Sequence, residues 1–350
     1  MPDRLKVGIV GCGAIANIRH IPAFLKLGKQ VSIEAVCDKN EDLAKRVASS
    51  NGIPGAYADL SQMLAKEKLD IVDICTPPQI HAPLALEALN GNCHVVLEKP
   101  MALKTTDCDQ MIEAARNHKR KLCIVHNQLF YPPVIEARKL VAAGAIGDFI
   151  GMRIFMSDPR DEMIMRKDYW VHKLPGGVIG ETGPHPIYKS LAFIGKVRNV
   201  DVQAGSSLEH PWAPFDLFRI GLDGENGFSS IVISYTSNRR ASTIELLGTE
   251  GALHLDLLSM LLIHQGKNTS MKPLSLATSS LGTAAQMVGG VAGNALRVLS
   301  GRGEFYGHNT IISRFVDSVL HDDQPPVTAE EGRETTRVIE MVVEKLQNKS

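Results

Sequence analysis

From Leu5 to His126 short apolar runs alternate with stretches of helical periodicity, and this alternation constrains the fold more than any single residue. Val7–Val10, Val31–Cys37, Ile71–Cys75, Val95–Leu97 and Leu122–Val125 read as strands. The spacing between them predicts helices over Ala16–Leu27, Glu41–Ser49, Ala82–Asn90 and Thr106–His118. Strands separated by helices need crossover connections, which build a parallel, doubly wound sheet. After His126 the texture changes. A helix over Val134–Ala143 ends at Gly144, and a strand follows over Phe149–Met156. Later runs alternate or are β-branched: Val200–Gln203, Phe215–Ile220, Ser229–Tyr235, Thr243–Leu247, Ala252–Leu257 and Leu261–His264. With turns such as Asp223-Gly224 between them, they predict a largely antiparallel sheet of hairpins and meanders. Lys267–Ser280 is polar and serine-rich and reads as a mobile loop. Two helices, Thr310–Leu320 and Ala329–Gln347, close the chain.

A chain of 350 residues exceeds one comfortable core, so two domains are expected, 1–126 and 127–350. The 38 basic and 38 acidic side chains cancel, leaving no electrostatic footprint for nucleic acid or an anionic membrane. Met1–Lys6 is polar and runs straight into a strand, which leaves no room for a signal sequence. Leu281–Leu299 is the longest weakly polar stretch, but Gln286, Asn294, Arg297 and its glycines interrupt it. It reads as a packed or interface helix, not a membrane span. Cys12, Cys37, Cys75, Cys93, Cys108 and Cys123 form no C-x-x-C pair, so no metal site is expected and reduced, cytoplasmic thiols are.

Gly11-x-Gly13-x-x-Ala16 follows the first strand and opens the first helix. Gly11 permits the tight turn, Gly13 lets the backbone approach a pyrophosphate, and Ala16 allows close helix–strand packing. N–H groups at the helix start, at Ala14 and Ile15, meet the phosphates. Asp38 ends the second strand, where a carboxylate accepts hydrogen bonds from ribose hydroxyls and repels a 2′-phosphate. That favours NAD, while Lys39 beside it keeps NADP open. Asp38 also reads as a loop aspartate or a cap for the next helix. Thr76-Pro77-Pro78 stops the Ile71–Cys75 strand beside the expected nicotinamide end, and His81 follows, to contact the cofactor or to serve structure alone.

Glu98-Lys99-Pro100 closes another strand and sets a cationic amine at its C-terminal edge, where ligands bind in open parallel sheets. Pro100 restricts Lys99 to extended geometry, and Glu98 can pair with a cofactor hydroxyl or hold the ammonium. Further on, a glycine-rich loop, Pro175 to Gly183, leads into a helix over Pro186–Ile194. Glu181 precedes His185 by one helical turn, so a helical path points both the same way. A carboxylate beside an imidazole orients it and raises its basicity, as a general base requires.

Together these residues resemble the glucose-fructose oxidoreductase / inositol dehydrogenase / rhizopine-catabolism family (Gfo/Idh/MocA), across essentially the whole chain. The resemblance implies a Rossmann domain followed by an α+β domain with an open-faced, mostly antiparallel sheet. It implies that Lys99 is the catalytic lysine with a cis bond to Pro100, and His185 the catalytic histidine. Glu181 then stands where aspartate is usual, and Tyr188 where many members carry a second aspartate. His126–Pro132 matches the stretch lining cofactor and substrate, giving Gln128 to the cofactor and Asn127 and Tyr131 to the substrate. Trp170 matches a tryptophan near the bound ligands.

The expected reaction is hydride exchange between NAD(P) and a secondary alcohol of a sugar or nucleotide sugar. His185 takes the hydroxyl proton, and Lys99 hydrogen-bonds the same oxygen. One alternative is a cofactor-sensing regulator of the same fold, against which the presence of both Lys99 and His185 argues. Another is a dehydrogenase for a dihydrodiol or tetrapyrrole, disfavoured by a chain only 5% aromatic. A homodimer or homotetramer through the C-terminal sheet is expected from the family.

Overall fold

The structure, a computed structural model, describes residues 4–158, 162–207, 210–237, 239–268, 270–300 and 307–347. The chain forms two compact units: Met1–Asn127 with Tyr306–Arg337, and Gln128–Phe305 with Val338–Ser350.

The first unit contains β1 (Leu5–Val10), α1 (Ile21–Lys26), β2 (Val31–Cys37), α2 (Glu41–Asn51), β3 (Gly55–Tyr57), α3 (Leu60–Lys66), β4 (Ile71–Ile74), α4 (His81–Asn90), β5 (His94–Leu97), α5 (Thr105–Asn117) and β6 (Leu122–Ile124). All strand pairs are parallel, in the order β3-β2-β1-β4-β5-β6. Strand order therefore reverses between β1 and β4, which sets the ligand-binding switch point at their carboxyl ends. The sequence reading lacked β3 and α3, because a three-residue strand carries no usable period. The expected helix from Ala16 starts with a π-helical turn, Ala16–His20, before α1. Ile21 N–H reaches back to Ala16 O, and Pro22 follows with no N–H to restore the tighter ladder.

In the second unit, α6 (Pro132–Ala142), β7 (Phe149–Ser157), α7 (Glu162–Met165), α8 (Val178–Thr182) and α9 (Pro184–Ile194) precede six strands. These are β8 (Val197–Gly205), β9 (Leu217–Gly224), β10 (Phe228–Ser234), β11 (Ala241–Gly248), β12 (Gly251–Asp256) and β13 (Leu261–Gly266). The seven-stranded sheet runs β13-β12-β11-β7-β10-β9-β8 and is antiparallel except where β7 pairs with β10. One face is buried through Met152, Ile154, Ile220, Ile231, Ile244 and Leu253. α9 covers that face, with Ser190 Oγ 2.8 Å from Ser229 Oγ. The opposite face exposes Phe155, Leu217, Phe228 and Leu247.

The expected loop over Lys267–Ser280 is corrected from Pro273 onward. There α10 (Pro273–Leu299) begins, with proline at a helix start where its missing N–H is harmless. Its polar stripe seals the edge of the sheet. Gln286 Oε1 accepts from His264 N at 2.9 Å, and its Nε2 donates to His264 O at 3.0 Å. Asn294 Nδ2 donates to Ser259 O at 2.8 Å, and a Cβ on Gly290 would come within 2.6 Å of Leu261 Cδ2. Leu274, Leu281, Val288, Val291 and Leu299 are exposed, and no α10 residue is buried. No helix among the described residues is long and apolar enough to cross a membrane.

α11 (Gly307–His321) and α12 (Ala329–Gln347) complete the fold. The sequence reading assigned everything after 126 to one domain, whereas Tyr306–Arg337 belongs to the first unit. α11 buries Ile311, Ile312, Phe315 and Val316 there. The start of α12 lies so close to β6 that a Cβ on Gly332 would collide with Ile124 and approach Met101 Sδ to 3.1 Å. Gly332→Leu should therefore cost about 1–3 kcal/mol by overpacking. Urea unfolding of the variant against the parent measures this, and equal midpoints would contradict the close packing.

Candidate active site

In the first unit the residues predicted to hold a dinucleotide gather at the carboxyl ends of β1, β2, β4 and β5. Gly11 has φ +92°, and a Cβ on it would stand 2.7 Å from Cys75 O, so no other residue fits the turn. A Cβ on Gly13 would meet nothing within 4 Å, which is the opening a pyrophosphate needs. Asn17 Nδ2 pins the turn by donating to Cys12 O at 2.8 Å and Gly13 O at 2.9 Å. Asp38 accepts from Cys12 N and from Asn40 N, both at 2.9 Å. Each oxygen keeps a second lone pair for a ribose hydroxyl. Asn40, not Asp38, caps α2. Lys39 is exposed. Ala14 and Ile15 lead into the π turn. Beyond β4, Thr76 Oγ1 is buried without a hydrogen-bond partner, and Pro77 is extended at φ −62°, ψ 146°. The open space at Gly13 and the orphaned Thr76 hydroxyl fit a nicotinamide dinucleotide.

His81 and Glu98 have structural partners instead of an open approach to ligand. His81 is wholly buried, with Nδ1 2.8 Å from Pro100 O and Nε2 2.8 Å from Thr76 O. Burial lowers its basicity. It thereby ties the backbone just after Lys99 to that of Thr76. Glu98 Oε1 lies 2.9 Å from His20 Nε2, and Oε2 accepts from Lys99 N at 3.0 Å. Lys99 is half-buried at the end of β5, and its bond to Pro100 is cis. His126 and Asn127, after β6, are buried, and burial pushes His126 down to about 3.

A buried ion cluster supports this edge, and the sequence reading missed it. His20 sits at the end of the π turn with Nδ1 2.9 Å from Asp73 Oδ2 and Nε2 on Glu98. His308, from α11, approaches Glu98 Oε1 at 3.5 Å. Burial alone would make His20 less basic, but the Asp73 carboxylate overrides it and holds the imidazole well above its usual range. Burial would raise Glu98, and the hydrogen bonds from His20 and His308 hold it well below the usual carboxylate range. His20, Glu98 and His308, or His20, Asp73 and Cys75, are close enough to chelate a cation. An imidazole with a carboxylate on each nitrogen is protonated, however, and offers no lone pair. The only sequence signal was a histidine inside an apolar helix start.

In the second unit the glycine-rich run forms α8 and α9. Gly177 has φ 64° and ψ −131°, open to glycine alone, and a Cβ on Gly183 would stand 2.5 Å from Ile179 O. The turn from Glu181 to His185 is helical, since Gly183 N donates to Ile179 O and Ile187 N to Gly183 O. His185 is half-buried, and its Nδ1 lies 2.8 Å from the Tyr188 phenol oxygen. That phenol also accepts from Gln128 N at 3.2 Å, and Gln128 Oε1 accepts from Lys189 Nζ at 2.7 Å. At Nδ1 the ring meets Tyr188, and Glu181 stands one helical turn before it. Lys189 was also missed, although a lone lysine in an apolar helix is a visible anomaly. Tyr131 begins the entry to α6, and Trp170 lies in a short turn with its ring 5.9 Å from that of Tyr169.

A Rossmann unit with this turn, joined to a sheet-rich unit presenting a held imidazole, defines an NAD-binding oxidoreductase. The chain belongs to the Gfo/Idh/MocA family: a model described as "Oxidoreductase family, NAD-binding Rossmann fold" matches residues 5–126, and one described as "GFO/IDH/MocA C-terminal domain" matches 134–254. It is similar to Oxidoreductase P35 of Formosa agariphila, 28% identical over 57% of this chain and 64% of that protein, which is under two thirds of its length. It is 30% identical to dTDP-3,4-didehydro-2,6-dideoxy-alpha-D-glucose 3-reductase of Streptomyces violaceoruber, over 72% of each chain. The WlbA dehydrogenase of Bordetella pertussis, solved with NADH and UDP-GlcNAcA, has the same fold, with TM-score 0.80 at 19% identity over 99% of this chain and 98% of that one.

Removing the central cation should leave two buried carboxylates uncompensated, so His20→Ala should cost about 3–5 kcal/mol. The raised His20 contributes stability fully below its unfolded value of 6.5, and loses it as pH climbs through its higher folded value. The depressed Glu98 contributes above its unfolded value of 4.5, and loses that as pH falls through its lower folded value. The difference between parent and variant should therefore be greatest between these two unfolded values and shrink on either side. Chemical denaturation across pH measures it, and a difference independent of pH would refute the charge assignment.

Proposed function

We propose that the protein reversibly oxidises a secondary alcohol of a sugar or nucleotide sugar. NAD, when bound, supplies the hydride acceptor. Lys99 and His185 act on one substrate oxygen: His185 takes the hydroxyl proton at Nε2, while Lys99 hydrogen-bonds the oxygen and stabilises its alkoxide character. Proton transfer of this kind contributes about 100- to 10,000-fold, and positioning contributes the remainder. Gly11, Gly13, Ala14, Ile15, Asp38, Thr76 and Pro77 hold the dinucleotide, with Gln128 beside it. Asn127, Tyr131, Trp170 and Tyr188 serve the substrate side. Glu181 stands one turn before the histidine as a further orienting group.

The observation that supports this reading is His185 Nδ1 lying 2.8 Å from the Tyr188 phenol oxygen, a contact that orients the ring of the proposed base. A family member serving only as a cofactor sensor would need neither that arrangement nor Lys99. The sugar assignment is supported by the Streptomyces reductase, whose named substrate is a nucleotide sugar. All six cysteines are buried and none is in a disulfide, which supports a reducing, cytoplasmic setting.

Lys99→Ala and His185→Ala should each lower turnover by about 100-fold or more, with NAD affinity largely unchanged. Reduced-nicotinamide absorbance over a panel of sugar alcohols and nucleotide sugars, with calorimetry for NAD, reads both quantities. Parent-level turnover in either variant ends the assignment.

We propose further that two or four copies associate through the exposed face of the second unit's sheet. Phe155, Leu217, Phe228 and Leu247 support this, since monomers rarely leave such faces open. Phe155→Asp places a charge at that face. Sedimentation should show a smaller assembly than the parent, and an unchanged one would place the contact elsewhere.

A further inference from the structure

Lys189 is wholly buried on α9, and among the described residues it has no carboxylate partner. Among the described residues its compensation is one hydrogen bond, 2.7 Å from Nζ to Gln128 Oε1, and burial pulls it down to about 7. Methionine or leucine would fill the same volume without that penalty, so the amine must do something an apolar side chain cannot. What it does is visible in its partner. Gln128 is held twice by adjacent residues of one helix: its side chain by Lys189, and its backbone N–H by the Tyr188 phenol at 3.2 Å. Tyr188 in turn meets His185 Nδ1 at 2.8 Å, with the rings edge-to-face at 75°.

We propose that Lys189 is a positioning residue: by clamping Gln128, it keeps the Gln128 N–H on the Tyr188 oxygen and so directs the phenol at His185 Nδ1. A phenol oxygen has two lone pairs and one proton. With one lone pair occupied by the Gln128 N–H, the hydroxyl loses rotational freedom. The remaining lone pair then accepts from the Nδ1–H, holding the tautomer in which Nε2 takes the substrate proton. A neutral phenol thus does the orienting work that a carboxylate would otherwise do, and it depends on a buried amine for its own orientation. This inference rests on His185 being the proton acceptor.

The test compares Lys189→Met, Tyr188→Phe and the double variant by nitrogen-15 NMR of the histidine rings, with His185 assigned by His185→Gln. The parent should show one fixed His185 tautomer. Lys189→Met should move its ring resonances in the same direction as Tyr188→Phe, and the double variant should match Tyr188→Phe alone. Turnover on whichever panel alcohol reacts should fall about tenfold in Lys189→Met with the KM for NAD unchanged. Thermal stability should not fall, because a buried amine has been removed. If Lys189→Met does not fold, Lys189→Leu carries the same comparison. His185 resonances left at parent positions, or shifts that add in the double variant, overturn the proposal. Full turnover in His185→Ala would instead overturn the underlying reading while leaving the NMR result standing.

Discussion

An imidazolium buried between two carboxylates organises the first unit. His20 comes from the turn after the dinucleotide loop, Asp73 from β4 and Glu98 from the end of β5. Three segments distant in sequence therefore meet at one charged centre that water cannot reach. Such a cluster adds little net stability over well-packed apolar residues, but losing any member leaves an uncompensated charge. Its value is geometric. With Oε1 on His20 and Oε2 on Lys99 N, Glu98 is rigid, and so is the backbone from which the Lys99 side chain departs. His81 completes the frame by bridging Thr76 O and Pro100 O.

The second unit solves a different electrostatic problem. On the proposed reading His185 is a base working near neutral pH, which needs one ring nitrogen oriented while the other takes the proton. A carboxylate at the first nitrogen would strengthen the base, whereas the Tyr188 phenol orients it with less charge. Gln128 then links that phenol to Lys189, an amine buried in an apolar helix. The two aspartate replacements noted in the sequence are thus not equivalent. Tyr188 meets His185 Nδ1 directly, while Glu181 keeps a carboxylate one turn earlier.

α10 inverts the usual amphipathic arrangement. Its polar side chains face the protein because Gln286 pairs with edge-strand backbone at His264, Thr283 with the Gln265 side chain, and Asn294 with Ser259 O just before β13. Its leucines and valines consequently face outward. A reading that assigns serine-rich segments to loops and apolar faces to the interior fails here for a clear reason: the partner is a strand's backbone, not a hydrophobic core.

The sequence by itself determined the parallel sheet, the dinucleotide turn and the positions of Lys99 and His185. Each of these is local: a run of apolar residues, a glycine pattern at a strand end, a proline that fixes the preceding residue. Only the tertiary structure decided which partners those residues have. It returned Tyr306–Arg337 to the first unit, gave Glu98 to His20 and gave His185 Nδ1 to Tyr188. It also made Lys189 an interior residue held by Gln128. The physical reason is that backbone conformation follows from neighbours along the chain. Hydrogen-bond partners and the charge state of a buried group follow instead from neighbours in space, brought there by packing that no short stretch of sequence encodes.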